Sequence, residues 1–132
     1  MAKTLTIVLT AGSQENEDPQ LAVRLAEAAQ ARGHRVNIFL YGNGCNLAKP
    51  DVPAVGPLGI RASLQAHLDQ HKLGPRLTAL AAGGAKIVTC HTTEYARGIE
   101  GQPYLPGVRR GDVGHVFTEL LLTSDVLLCL GR

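Results

Sequence analysis

Apolar residues fall along the chain in two alternating patterns, short continuous runs and sets spaced for one face of a helix. Leu5-Thr6-Ile7-Val8-Leu9 is a β-rich run followed by Ala11-Gly12-Ser13, the pattern of a buried parallel strand entering a loop. Beyond the polar loop 13–18, Asp18 suits a helix N-cap and Pro19 its first position, and Leu21, Leu25, Ala28 and Ala29 keep helical spacing as far as Gly33. Val36, Ile38, Phe39 and Leu40 mark a second strand within 34–41, and Gly42-Asn43-Gly44-Cys45-Asn46 follows it with residues that tolerate left-handed backbone. Pro50, Pro53, Gly56, Pro57 and Gly59 break up residues 46–60, so this stretch predicts a long loop acting as a flap or lid.

Ile60, Leu64 and Leu68 space a helix that Gly74-Pro75 interrupts, and Leu77, Leu80 and Ala81 resume the spacing up to Gly83-Gly84. Residues 85–90 form the third apolar run. A short helix from about Thr92 to Ala96 is expected to stop at Gly98, with a Gly/Pro-rich loop over 100–111. Asp112 then caps a helix carrying Val113, Val116, Phe117, Leu120 and Leu121, and Val126 to Leu130 is the last strand. Strands alternating with helices predict an α/β fold, a three-layer α/β/α sandwich with a mainly parallel sheet of four to five strands. The fifth strand, if present, is sought in 99–106, where Tyr104-Leu105 is the apolar pair. The 132 residues are read as one domain.

Composition narrows the function classes. The net charge is +2 and the charges are scattered apart from Arg109-Arg110, so neither a nucleic-acid footprint nor a polybasic membrane face is expected. The run Val126 to Leu130 falls far short of the roughly 20 apolar residues a membrane helix requires. Three cysteines without a C-x-x-C pair, and no secretory signal, point to a reduced, cytoplasmic setting.

Cys90 ends the third strand, where open α/β sheets bind their ligands, and the helix that follows is expected to aim N–H groups and its positive end at the sulfur. The thiol is therefore the candidate catalytic group. The competing reading is a buried cysteine acting as a small apolar side chain. Cys45 follows the second strand at the same sheet edge, where it would form a transient disulfide with Cys90 if the two Cα atoms lie within about 7 Å, the competing reading being a plain loop residue. Cys129, inside a continuous apolar strand, reads as core. His91 and Thr92 adjoin Cys90 and are candidate supporting residues, with His91 able to raise the local positive potential only if the chain has already turned.

Other chemistries fit poorly. A cysteine-phosphatase loop would put five residues between Cys and Arg, whereas six separate Cys90 from Arg97 and none of them is glycine. His67 and His71 share a helix face without a third ligand, so no metal is expected. The loop after the first strand lacks the glycine fingerprint of dinucleotide sites. A small-molecule enzyme using the 42–60 flap ranks last.

A strand ending in Cys, a short helix, then Arg-Gly-aliphatic is the order found here as Cys90, Arg97, Gly98 and Ile99, and in this the chain resembles the DsrE/DsrF-like sulfur-relay family, which includes TusD-like subunits. Thr6 to Thr10 resembles the family's opening strand, Gly33-His34-Arg35-Val36 its Gly-His turn, Tyr41-x-x-Gly44 its aromatic-x-x-Gly loop, and Leu120 to Leu130 with Ser124-Asp125 its closing segment. The resemblance covers nearly the whole chain. It departs at Asn43, where an acidic residue is common, and at Cys45, where an apolar one is usual. The resemblance implies a sulfur carrier or sulfurtransferase in which Cys90 takes a persulfide to or from a partner thiol. Tyr41, Asn43, Gly44 and Arg97 would be supporting residues, with Arg97 drawing an anionic partner surface. It also implies no resident cofactor beyond the transient persulfide, donor and acceptor proteins as partners, and a homo-oligomer, trimer or hexamer, or a hetero-oligomer of related subunits. The alternative is a non-catalytic oligomeric binding or scaffold subunit of the same fold.

Overall fold

The computed structural model of the protein describes residues 1–12, 15–50, 59–70 and 72–131. Strands β1 (Thr4–Leu9), β2 (Arg35–Leu40), β3 (Lys86–Cys90), β4 (Val108–Gly111) and β5 (Val126–Leu130) form one sheet in the order β4-β3-β2-β1-β5. Every neighbouring pair is parallel. The chain steps outward from β1 to β4, then crosses back to pair β5 with the far side of β1. Parallel strands need crossover helices, so both faces of the sheet are covered.

Side-chain alternation along the strands sorts the core into two clusters. Ile7, Leu9, Ile38, Leu40 and Ile87 point to the larger one, against Ala22, Val23 and Ala26 of α1 (Asp18–Ala31) and Leu77 and Leu80 of α3 (Gly74–Ala82). Val8, Phe39, Val88 and Cys90 point the other way, against Val116, Phe117 and Leu120. This is the expected three-layer α/β/α sandwich.

Several expectations need correction. The fifth strand is β4, Val108–Gly111, inside the stretch read as a loop; its Val108 is buried but its two arginines are exposed, so no apolar run announced it. Tyr104-Leu105 is not a strand, although the Leu105 N–H donates to the Ala48 carbonyl at 2.8 Å. The N-cap of α1 is Glu17 rather than Asp18, and it makes no side-chain capping bond. Residues Gly42–Ala48 coil into a 3₁₀ segment, with left-handed backbone only at Gly42, φ +58°. The flap expected over 46–60 lies partly there, with Leu47, Ala48 and Lys49 buried, and partly in 51–58, outside the described residues. α2 (Arg61–Gln70) has no buried residue.

The helix capped by Asp112 begins as a π-helical turn, Val113–Phe117, and continues as α5 (Thr118–Leu122). Asp112 accepts from the N–H groups of His115 and Val116, as the cap requires. α5 is five residues long, and the apolar exposure beside it is confined to β5. β5 is an edge strand there, so Val126 and Leu127 are exposed, and Cys129, expected in the core, is exposed too.

Candidate functional site

Cys90 stands at the carboxyl end of β3 as the N-cap of α4 (His91–Ala96), with extended backbone at φ −77°, ψ 114°. Its side chain lies on the smaller-core face and is 0% exposed, among Val8, Phe39, Val88 and Leu120 with Val116 and Phe117 packed over them. The expected cradle of helix N–H groups is not formed: the Cys90 side chain makes no capping hydrogen bond, while its carbonyl accepts from the Thr93 hydroxyl at 3.0 Å. The lid over Cys90 is the π-helical turn and the start of α5, with the Phe117 ring 5.0 Å from that of Phe39.

Cys45 lies on the 3₁₀ segment at the same edge of the sheet, and it is likewise 0% exposed. Burial pushes its thiol up; the Thr93 hydroxyl and the Arg97 charge pull it down, while Glu94 and Cys90 push it further up. Two unpaired thiols therefore share one electrostatic neighbourhood at the ends of β2 and β3. Gly44 explains how the segment lies so close: a Cβ there would sit 2.1 Å from the Leu9 carbonyl oxygen, so only glycine lets it cross the end of β1.

The Arg-Gly-aliphatic signature has a structural reason of its own. Gly98 adopts φ +67° and its N–H donates to the Tyr95 carbonyl, while the Ile99 N–H reaches back to Glu94. This reciprocal pair is a Schellman cap, which ends α4 at the left-handed glycine. Arg97 swings onto the 3₁₀ segment, its Nε donating to Asn43 Oδ1 at 2.5 Å, so these two candidate residues are brought together. His91 is directed elsewhere: its Nδ1 bonds the Gly111 carbonyl at 2.9 Å, tying α4 to the end of β4. A carbonyl only accepts, so that nitrogen carries the proton. Thr92 is exposed, and Tyr41 stacks on Phe39 with ring centroids 6.4 Å apart. His91, Thr92 and Tyr95 line a cleft of about 300 Å³ with Glu100 and Arg110. A larger cleft of about 910 Å³, bounded by Asn46, Lys49, Lys72, Leu73 and Gln20, contains no cysteine. His67 lies on α2 and His71 lies outside the described residues, so their shared face stays an expectation.

A buried polar cluster was missed by sequence reading. Lys49 and Glu94 side chains are 0% and 1% exposed, and Lys49 Nζ lies 3.4 Å from Glu94 Oε2. Lys49 Nζ also donates to the Gln102 carbonyl at 2.6 Å and sits 3.7 Å from the Tyr104 ring centroid, a cation–π contact. The Tyr104 hydroxyl donates to Glu94 Oε2 at 2.8 Å, and burial, then this carboxylate, pushes the phenol up to about 12. Glu94 Oε1, in contrast, is buried without a hydrogen-bond partner among the described residues, as is the Thr89 hydroxyl. The only hint in the sequence was a glutamate on a six-residue helix beginning at a buried thiol; nothing pairs it with a lysine in a proline-rich loop.

A family model, that of the DsrE/DsrF-like family, matches residues 3–129. The chain belongs to the DsrE/DsrF-like family. Members of this family are generally sulfur-relay proteins. Solved structures agree on the fold of this DsrE/DsrF-like chain. The YchN protein from E. coli superimposes with a TM-score of 0.69 at 20% identity, covering 98% of this chain and 100% of that one. The protein of unknown function MTH1491 from Methanobacterium thermoautotrophicum gives 0.70 at 15% identity, with 97% and 99% covered. The conserved protein of unknown function BT1422 from Bacteroides thetaiotaomicron gives 0.62 at 18%, with 97% and 95% covered. No curated protein matches the chain by sequence. Among the described residues, no helix of this DsrE/DsrF-like protein is long and apolar enough to cross a membrane.

Proposed function

We propose that this DsrE/DsrF-like protein carries sulfur in the cytoplasm as a Cys90 persulfide, taken from a donor protein and passed to an acceptor thiol. The observation that carries the reading is the coincidence of Cys90 with the strand-end position of the family signature, beside a second unpaired thiol, Cys45. Transfer needs a thiolate to attack the outer sulfur of a persulfide, so each thiol is useful only if a partner reaches it. In the isolated chain the π-helical turn closes over Cys90, so loading proceeds when that turn lifts, in solution or on a docked partner. Assembly is part of the same proposal. The exposed apolar residues Leu121 and Leu122 of α5 and Val126 and Leu127 of edge strand β5 supply apolar surface for subunit contact, in a homo-oligomer such as a trimer or hexamer or with related subunits.

Incubating the protein with a low-molecular-weight persulfide and measuring its intact mass tests this directly. The expected result is one added sulfur, assigned to Cys90 by peptide mapping and lost in Cys90→Ser. Wild-type protein that gains no sulfur at Cys90 overturns the proposal. The full burial of Cys90 favours a second reading, a scaffold subunit in which the thiol is only apolar filling. In that case Cys90 resists thiol reagents until the protein unfolds.

A further inference from the structure

We propose that the sheet face carrying Cys90 is, toward the amino ends of its strands, a docking surface for an acidic, extended segment of a partner protein, held by Arg35, Lys86 and Arg109. The inference does not depend on what Cys90 carries.

The register of the sheet brings these three cations together. Val88 and Cys90 of β3 point into the smaller core, so Lys86, two residues before Val88, stands on that same face. Arg109 is paired with Val88 across β3 and β4. Gly111, two residues further along β4, marks the same side, since a Cβ there would press on the Val88 and Val116 side chains. Arg35 lies four residues before Phe39 of that cluster, and its Nε donates to the Thr4 hydroxyl at 3.0 Å. Lys86 is paired with Asn37, two residues beyond Arg35, just as Arg109 is paired with a residue two beyond Lys86. Each step crosses one strand and advances two residues, which makes a diagonal with about 8 Å between successive Cα atoms.

All three residues are exposed, and among the described residues none of them belongs to an ion pair. Charges on an edge strand guard it against stray pairing, and Arg109 on β4 fits that use. Arg35 and Lys86 do not, because β2 and β3 are interior strands. The row calls for negative charges at matching intervals. An extended chain sets alternate side chains about 7 Å apart on one side, and carboxylates so spaced meet the guanidinium and ammonium groups in turn. Single-stranded nucleic acid is held by aromatic stacking as well as by charge. The exposed aromatics among the described residues, Tyr41 and Tyr95, instead follow the carboxyl ends of β2 and β3. A second copy meeting this face by two-fold symmetry would set like charges against each other. The π-helical turn over Cys90 packs on this same face, so a partner seated here docks on the side of the sheet from which that thiol is covered.

The test uses the full chain and a fluorescently labelled synthetic peptide in which glutamate alternates with threonine, followed by anisotropy at low salt. Wild-type protein is expected to bind it and to release it as salt rises past about 0.3 M, where exposed charges are screened. The same peptide with glutamine in place of glutamate should not bind. Lys86→Glu with Arg109→Glu should weaken binding about tenfold or more with the far-UV spectrum unchanged, and Lys86→Gln with Arg109→Gln should weaken it by a smaller factor. Arg24→Glu with Arg110→Glu changes the net charge as much as the first pair does, from α1 and from the opposite face of β4, and should bind like wild type. Wild type that does not bind the acidic peptide, or an equal loss in the two charge-reversed pairs, overturns the inference. A single-stranded oligonucleotide that binds more tightly than the peptide and is lost in the same variants overturns it too, making the face a nucleic-acid site. Sedimentation in which Lys86→Glu with Arg109→Glu separates an assembled protein into single chains gives the face to a second copy and has the same result.

Discussion

Lys49 Nζ is enclosed by the Tyr104 ring, the Gln102 carbonyl and the Glu94 carboxylate, so it is not a residue that tolerates replacement by a merely similar shape. Lys49→Met leaves the buried carboxylate facing only the Tyr104 hydroxyl, and removing one partner of a buried pair costs about 3 to 5 kcal/mol. Urea unfolding should show that loss, and adding Glu94→Gln should recover part of it, since the stranded charge is then gone. Tyr104 gives a pH dependence of definite sign. Its ordinary value is 10.0 and the fold raises it to about 12, so the folded state prefers the neutral phenol. The stability this supplies is complete below pH 10.0 and disappears as pH rises toward about 12. Denaturant midpoints measured through that window should fall in wild type and fall less steeply in Tyr104→Phe. Gly44→Ala presses a methyl group against the Leu9 carbonyl, and overpacking of this kind costs about 1 to 3 kcal/mol. At this scale the sequence showed Cys90 and the Arg-Gly pair by position. The Lys49–Glu94 cluster stayed hidden because a buried charge is recognised by its partner, and partners distant in sequence leave no periodic signal.

The element that governs access to Cys90 is the π-helical turn, and Asp112 holds it. The His115 ring and the His115 and Val116 N–H groups all bond its carboxylate, which lowers it well below the usual carboxylate range. The cap is therefore present above that ordinary value and weakens as pH falls below it. Asp112→Ala should remove hydrogen-exchange protection at the His115 and Val116 amides and speed the reaction of Cys90 with a small thiol reagent, with Cys129 unchanged. If Cys90 labels no faster when the turn is loosened, the turn is not its lid. Asp112 was legible because a capping side chain is a local signal. β4 was not, because a short edge strand with two outward arginines has neither the apolar run nor the alternation by which strands are read. β5 misled in the opposite sense. Its continuous apolar run implied two covered faces, and the brevity of α5 left one largely open.

Across the whole molecule, the proposed assembly turns on the exposed edge at β5. Leu122 is 78% exposed, and Leu121 beside it and Val126 and Leu127 at the start of edge strand β5 are exposed as well, more apolar surface than a chain usually leaves without a partner. Charge placed there, as Leu122→Glu with Leu127→Glu, should convert an assembled protein to single chains in sedimentation while leaving the far-UV spectrum unchanged. An unaltered sedimentation coefficient would place the subunit contact elsewhere. The alternation of strands and helices gave the layers and the parallel sheet, since those follow from chain-local periodicity. Strand coverage at the edges depends on helix length and on neighbours outside the chain, and periodicity carries neither.

Cys129 sits on this same strand, its thiol open to solvent in the lone chain. A bulky maleimide added to native protein thus counts assembly with no engineered label: it modifies a bare edge readily, whereas a neighbour seated on β5 shields the sulfur and the count falls. The residue that contributes least to the chemistry is in this way a built-in gauge of the quaternary state.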